Sequence, residues 1–274
     1  MSGAAPGVVV AVDGRRTAGA IRYAIQEARA RGTGVRLVHV LSDHGCPSHE
    51  IMDPGMSQTC ADATDVTFDW LLERGSRTAE LVETTTAAGL LVLGRLPRED
   101  TGKPVLGAVT TEVAARATGP VVVVPADWQG LRYRRVVAGV KSCAYSGKLL
   151  ATAFSAADTQ HAVLRVVHAR GHVGEETMRL EALVRDWSAA FPDVAVETSF
   201  PSGDAAPALV RAALDADVVL VARHHRDLRH LARLGPVPRA VLAAADTPVE
   251  VVPLGGAPVN APVAPARSRT ILQD

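Results

Sequence analysis

The sequence predicts a doubly wound α/β domain present twice in one chain, and three observations point there. The chain repeats itself almost in full at an offset of 128 residues. Its apolar runs are short, β-branched and continuous, as expected of strands buried on both faces of a parallel sheet. Amphipathic stretches of helical period separate those runs, and alternating βα units give a parallel sheet with right-handed crossovers.

The repeat comes first because it organises everything else. Pro120-Val121-Val122-Val123-Val124-Pro125 returns as Pro248-Val249-Glu250-Val251-Val252-Pro253. Leu90–Arg95 returns as Val218–Arg223, and Val8–Asp13 as Val136–Lys141, all at the same offset. Val38-His39 pairs with Val167-His168 at 129, so one residue has been gained between. Four matches in one order make two homologous halves.

Within the first half, strands are predicted at Val8–Val12, Val35–Leu41, roughly Val66–Leu72, Leu90–Leu93 and Val121–Val124. Thr17–Arg31 places Ile21, Ala24, Ile25 and Ala28 on one stripe and reads as a helix. Further helices are expected at Gly75–Ala88 and Gly107–Thr118, and in the second half at Glu175–Phe191. Each half is thus expected to hold a five-stranded parallel sheet flanked by helices. The boundaries follow as 1–127 for the first domain, a linker at Trp128–Tyr133, 134–253 for the second, and a disordered tail at 254–274, rich in Pro, Ala and Gly.

Composition narrows the function. Apolar residues are 47% and charged residues 21%, enough for a real core. The 29 basic residues balance 29 acidic ones, which argues against a nucleic-acid or membrane-surface binder. Three cysteines, Cys46, Cys60 and Cys143, fit no disulfide framework, so a reducing cytoplasm is expected. No signal peptide or membrane-spanning run is apparent.

In open α/β sheets, ligands sit outside the carboxyl ends of the strands near the switch in strand order. Asp13 ends the first strand of the first half and Val40 lies at the end of the second. Gly94 ends the fourth and opens a loop to Gly107, where a helix begins. Such a loop offers backbone N–H groups and a favourable dipole to phosphate.

These residues carry a resemblance. Val8–Gly14, Val38-His39-Val40, the Gly94…Gly107-Ala108-Val109-Thr110 loop and the closing Pro120–Pro125 strand resemble the universal stress protein family, in its tandem two-domain form. The resemblance spans nearly all of both halves. It implies a Rossmann-like, adenine nucleotide alpha hydrolase-like fold and a cytoplasmic, non-enzymatic role in stress response. It also implies ATP bound through the acidic residue ending strand one, backbone at the end of strand two, and a Gly-x2-Gly-x9-Gly-Ser/Thr loop. Asp13, Val40, Gly94 and Gly107 match that pattern. Pro97 replaces the second loop glycine and has no N–H to donate. Ala108 stands where a hydroxyl is expected, with Thr110 two residues on as a substitute. ATP binding is therefore expected to be weakened or lost in the first half.

None is expected in the second. Lys141 replaces the acidic residue, and Ala222, His225 and Pro236 occupy positions where Gly, Gly and Ser/Thr belong. The segment 223–233 holds four arginines and one acid. Lys141, Arg223 and Arg226 form a candidate anion site, weighed against a plain solvated arginine-rich loop. Neither His224, His225 and His230 nor the Asp43–His49 segment with Cys60 matches a zinc module. That segment reads as an insertion carrying a free thiol.

Other residues read as structural. His39 and His168 sit inside strand patterns and are assigned to packing, as are Trp70 and Trp187, while Trp128 is expected to seal the linker. The apolar closing strands Val121–Val124 and Val249–Val252 would leave an exposed sheet edge, an invitation to association. The family's pairing through this edge implies an intramolecular pseudo-dimer, with a homodimer as a further option. Glu250 fits a solvent-facing position there. No paired carboxylates, catalytic triad or metal signature supports an enzyme. The expectation is a stress-response regulator acting through an unidentified protein partner, or a nucleotide-independent scaffold that kept only the fold.

Overall fold

The computed structural model describes residues 7–13, 17–42, 54–95, 106–141, 146–169, 174–224 and 234–254. Pro97, Cys46, Cys143, His225, Arg226, His230 and the stretch 255–274 lie outside them.

Ten strands form one sheet in the order β3-β2-β1-β4-β5-β10-β9-β6-β7-β8. The first half supplies β1 (Val8–Ala11), β2 (Val35–Leu41), β3 (Phe68–Arg74), β4 (Leu90–Arg95) and β5 (Val121–Pro125). The second supplies β6 (Arg135–Gly139), β7 (Val163–Val167), β8 (Val196–Ser199), β9 (Val218–His224) and β10 (Val249–Leu254). Within each half neighbouring strands pair parallel. The halves meet through β5 and β10, which pair antiparallel.

That register is informative. Val249 pairs with Val123, Glu250 with Val122 and Val251 with Val121. At the 128-residue offset Glu250 and Val122 are equivalent positions, so the pseudo-twofold axis passes between them. Each covers the edge its counterpart would otherwise leave open.

Helices cover both faces. On one side lie α1 (Ala18–Arg31), α2 (Pro54–Asp62), α5 (Gly147–Thr159) and α6 (Glu175–Ala190). On the other lie α3 (Arg77–Thr84), α4 (Ala108–Arg116), α7 (Ala205–Ala212) and α8 (Pro236–Ala244). The α3/α4/α7/α8 side holds one apolar core running through both halves, with Val9, Leu91, Val121, Val249, Val219 and Val137 among its members. The opposite side holds two separate cores, one around Ile21, Leu37 and Leu90, the other around Phe154, Trp187 and Leu220.

Several elements depart from the sequence expectation. Strand β3 starts two residues later and shows an alternating exposure pattern, because it is an edge strand with no neighbour on one side. Trp70 on it is 46% exposed, against the packing role assigned to it; Trp187 is buried as expected. Helix α2 occupies Pro54–Asp62, a stretch for which no helix was predicted. It carries Met56, fully buried against α1. Trp128 is buried and meets Tyr23 edge to face with ring centroids 5.3 Å apart, which fixes the linker against α1. Asp217 completes that anchoring by accepting the backbone N–H groups of Arg132, Tyr133 and Arg135.

Candidate functional site

In the first half β1 lies between β2 and β4, so the strand order switches direction between β1 and β4. A crevice at the carboxyl ends is expected at such a point. The register sets Ala11 beside Val38 and Leu93, so Val40 and Gly94 flank the end of β1 within two residues. Asp13 follows that end and is exposed, whereas Val40 is buried. The topology therefore brings Asp13, Val40 and Gly94 to one edge of the sheet.

The peptide before Asp13 is held in place. Val12 N–H donates to the Val38 carbonyl at 2.9 Å, and His39 Nδ1 lies 2.8 Å from the Val12 carbonyl. A carbonyl only accepts, so Nδ1 carries the proton. His39 thus does more than pack, and so does His168, whose Nδ1 lies 2.9 Å from the Val140 carbonyl, the equivalent place in the second half.

Neither candidate glycine is required by packing. A Cβ on Gly94 would rest 3.6 Å from Thr17 Cγ2, an ordinary contact. One on Gly107 would meet only Thr110 Oγ1, at 3.8 Å. Gly107 is the N-cap of α4, with φ −59° and no side-chain cap. It presents first-turn N–H groups to the carboxyl-end edge, with exposed Ala108 beside it and Thr110 half-buried. Beside Gly94, Thr17 Oγ1 donates to Met56 Sδ at 2.7 Å.

The second half repeats this framework with different chemistry. Exposed Lys141 follows β6 where Asp13 follows β1. Gly139 stands for Ala11, and Leu209 fills the space above it: a Cβ there would come within 2.7 Å of Leu209 Cδ1. Gly235 caps α8, with Pro236 removing one N–H from the first turn.

The Arg223 guanidinium is not open to an anion beside Lys141, which corrects that expectation. It is buried, with Nη1 donating to the Ala115 carbonyl at 2.7 Å and Nη2 to that of Ala117, both at the C-terminal end of α4 in the other half. Arg95, its equivalent, does the reciprocal thing. Its Nη1 donates to the carbonyls of Leu242 at 2.7 Å and Ala243 at 3.2 Å, at the end of α8. Each arginine occupies the negative end of a helix dipole and satisfies carbonyls that the helix leaves without partners. Burial lowers the Arg223 pKa, without approaching neutrality for a guanidinium. The matching arginines in the repeat were the visible signal for this clasp.

Glu250 also departs from expectation. It is buried rather than facing solvent, and desolvation, with the nearby Glu27 charge, pushes its carboxyl up to about 7. A shallow depression of about 610 Å³ at the opposite end of the strands, lined by Arg29, Gly32 and Asp65 among others, contains none of these residues. Among the described residues no group of three or more His, Cys, Asp or Glu could hold a metal ion.

Comparison with known proteins places this architecture. The model of the universal stress protein family matches residues 169–253. A universal stress protein of Mycolicibacterium smegmatis is 26% identical, covering 90% of this chain and 96% of its own length. One from Mycobacterium tuberculosis is 24% identical, at 89% and 94% coverage. The crystal structure of a universal stress protein from Archaeoglobus fulgidus superposes with a TM-score of 0.75 over 91% of this chain and 99% of that one, at 15% identity. The chain is UspA-like.

The UspA-like signature lies where the ligand pattern is weakest. Residues 169–253 include Arg223, Gly235 and the closing strand β10, but neither Asp13 nor Gly94. Similar folds also serve other molecules: the cytoplasmic domain of a prokaryotic cation chloride cotransporter aligns over 93% of the chain with a TM-score of 0.57 at 11% identity.

Proposed function

We propose that this UspA-like chain is a stress-response regulator without catalytic activity, in which only the first half keeps a weak nucleotide site. The observation that carries this reading is the contrast between equivalent strand ends. Asp13, Val40 and Gly94 gather at the first switch point beside the uncapped start of α4, with Gly107 and Thr110. At the second stand Lys141, a space filled by Leu209, and an α8 whose first turn begins with Pro236 behind the Gly235 N-cap. Gly94 and Gly107 have no steric or conformational need to be glycine, and close approach of a phosphate to the backbone gives them a purpose. Ala108 offers no hydroxyl to such a ligand and Pro97 no N–H, so ATP would be held weakly. Loss of one or two hydrogen bonds at about 1 kcal/mol each lowers affinity by roughly an order of magnitude.

The alternative reading, a scaffold that signals with no nucleotide, is favoured by the buried Met56, which occupies Thr17 beside Gly94. Calorimetric titration with ATP separates the two. The regulator reading expects heat at millimolar ATP that disappears in Asp13→Ala and is unchanged in Lys141→Asp. Absence of heat at millimolar ATP would leave the scaffold reading, and full binding by Asp13→Ala would put the site elsewhere.

A further inference from the structure

The two halves are joined around a buried carboxylate, and that position does not depend on whether ATP binds. Glu250 sits on the pseudo-twofold axis opposite Val122, its own equivalent in the repeat. In a dimer of identical repeats one residue type would have to occupy both places, and two carboxyls would face each other across the axis. Fusion into one chain lets one copy be valine and the other glutamate.

The surroundings of Glu250 are polar on one side only. Its strand neighbours are Val122 on β5 and Leu220 on β9. Helix α8 packs beneath through Val241 and Leu242, on the opposite face. Over the seam, α1 contributes Tyr23, Glu27 and Arg31, spaced one turn apart along a single face. From the second half comes Gln160, the C-cap of α5, whose Nε2 donates to Glu27 Oε1 at 3.4 Å. Glu27 is further bound by Arg31 at 2.9 Å and by the Tyr23 phenol. Glu27 and Arg31 are the charged groups that act on the Glu250 carboxyl, and Tyr23 senses Glu250 in turn. Arg31 is therefore engaged by Glu27, and among the described residues Glu250 has no counter-charge of its own. Among the described residues, Glu250 Oε1 is buried with no hydrogen-bond partner. An ionised carboxylate in that setting is costly, and a protonated one is tolerated.

We infer that Glu250 is a proton-operated latch between the halves: protonated, it seals the α1/α5 side of the β5–β10 joint, and ionised, it loosens that side. Acid therefore tightens the joint and alkali weakens it. The folded-state titration lies near 7, above the ordinary carboxylate value of 4.5, so ionisation is disfavoured in the closed form. The closed form is most favoured below about 4.5, is progressively lost through 7, and changes little above it. The opening equilibrium shifts by roughly two orders of magnitude over that whole range, and by about 30-fold between pH 5.5 and 8.

Amide hydrogen exchange on the full chain, corrected for intrinsic rates, reads this directly. Protection of Val249 and Val251 should fall about 30-fold from pH 5.5 to 8, while that of Val8 and Val10 in β1 changes far less. Glu250→Gln should abolish the difference, and Glu27→Gln, which removes the like charge, should move the midpoint of wild-type behaviour to lower pH. Equal loss of protection in β1 and β10, or none in either, would overturn the latch. Persistence of the pH response in Glu250→Gln would do so too. Should Glu250→Gln fail to fold, the wild-type profile and the Glu27→Gln shift decide the matter alone.

Discussion

On the face carrying α3, α4, α7 and α8, apolar contacts run unbroken across the β5–β10 joint, and Arg95 and Arg223 tie each half to the last helix of the other. On the face carrying α1 and α5, two separate cores stop short of one another, and Glu250 with Tyr23, Glu27 and Gln160 lies between them. The same pair of strands thus presents a fixed side and an adjustable side. A single joint can hold two halves together without being equally firm on both faces. The adjustable side is also where the repeat differs on its own axis, with glutamate in one copy and valine in the other.

The largest expected effect comes from making the firm side resemble the other. Val249→Asp places an unpaired charge in the continuous core and should cost about 4 kcal/mol, read as a shifted urea midpoint or loss of folded protein at neutral pH. A smaller loss, similar to that of an exposed substitution, would mean the core is interrupted there after all. Removing one arm of the clasp comes next. Arg223→Ala and Arg95→Ala should each cost about 2 kcal/mol, nearly additively because the two arginines share no partners. Lysine should restore little at either place, since a single ammonium cannot reproduce a guanidinium that reaches two carbonyls. The smallest effect belongs to a surface pair outside the joint. Arg29 and Asp65 are bridged at 2.7 Å but about half exposed, and Arg29→Ala should leave the denaturation midpoint unmoved within error.

Much of this architecture was legible in the sequence because the information is local or periodic. Continuous runs of valine and leucine marked β1, β4, β5 and β9, and the 128-residue offset added β10 and paired the halves before any contact was known. The ends of β1, β2 and β4 could be placed together because parallel strands share their carboxyl ends. What escaped was set by contacts between distant parts. In Val249-Glu250-Val251 the glutamate looks like an outward residue of an alternating strand, and only the arrival of β5, α1 and α5 buries it. Arg223 looked like the first charge of an arginine-rich loop, and its partners at α4 lie more than a hundred residues away. Helix α2 begins with Pro54-Gly55 and has little helical period, so its formation depends on Met56 packing under α1. Trp70 was assigned to a core that an edge strand does not supply on both faces.

The carboxyl of Glu250 tests the asymmetric joint most directly. Carbon-13 NMR titration of the side-chain carboxyl in the folded full-length protein follows its ionisation without altering the residue. A buried, uncompensated position between the halves predicts a midpoint near 7. A midpoint near the ordinary carboxylate value of 4.5 would mean that Glu250 is solvated or firmly paired, and the distinction between the two faces would fall with it.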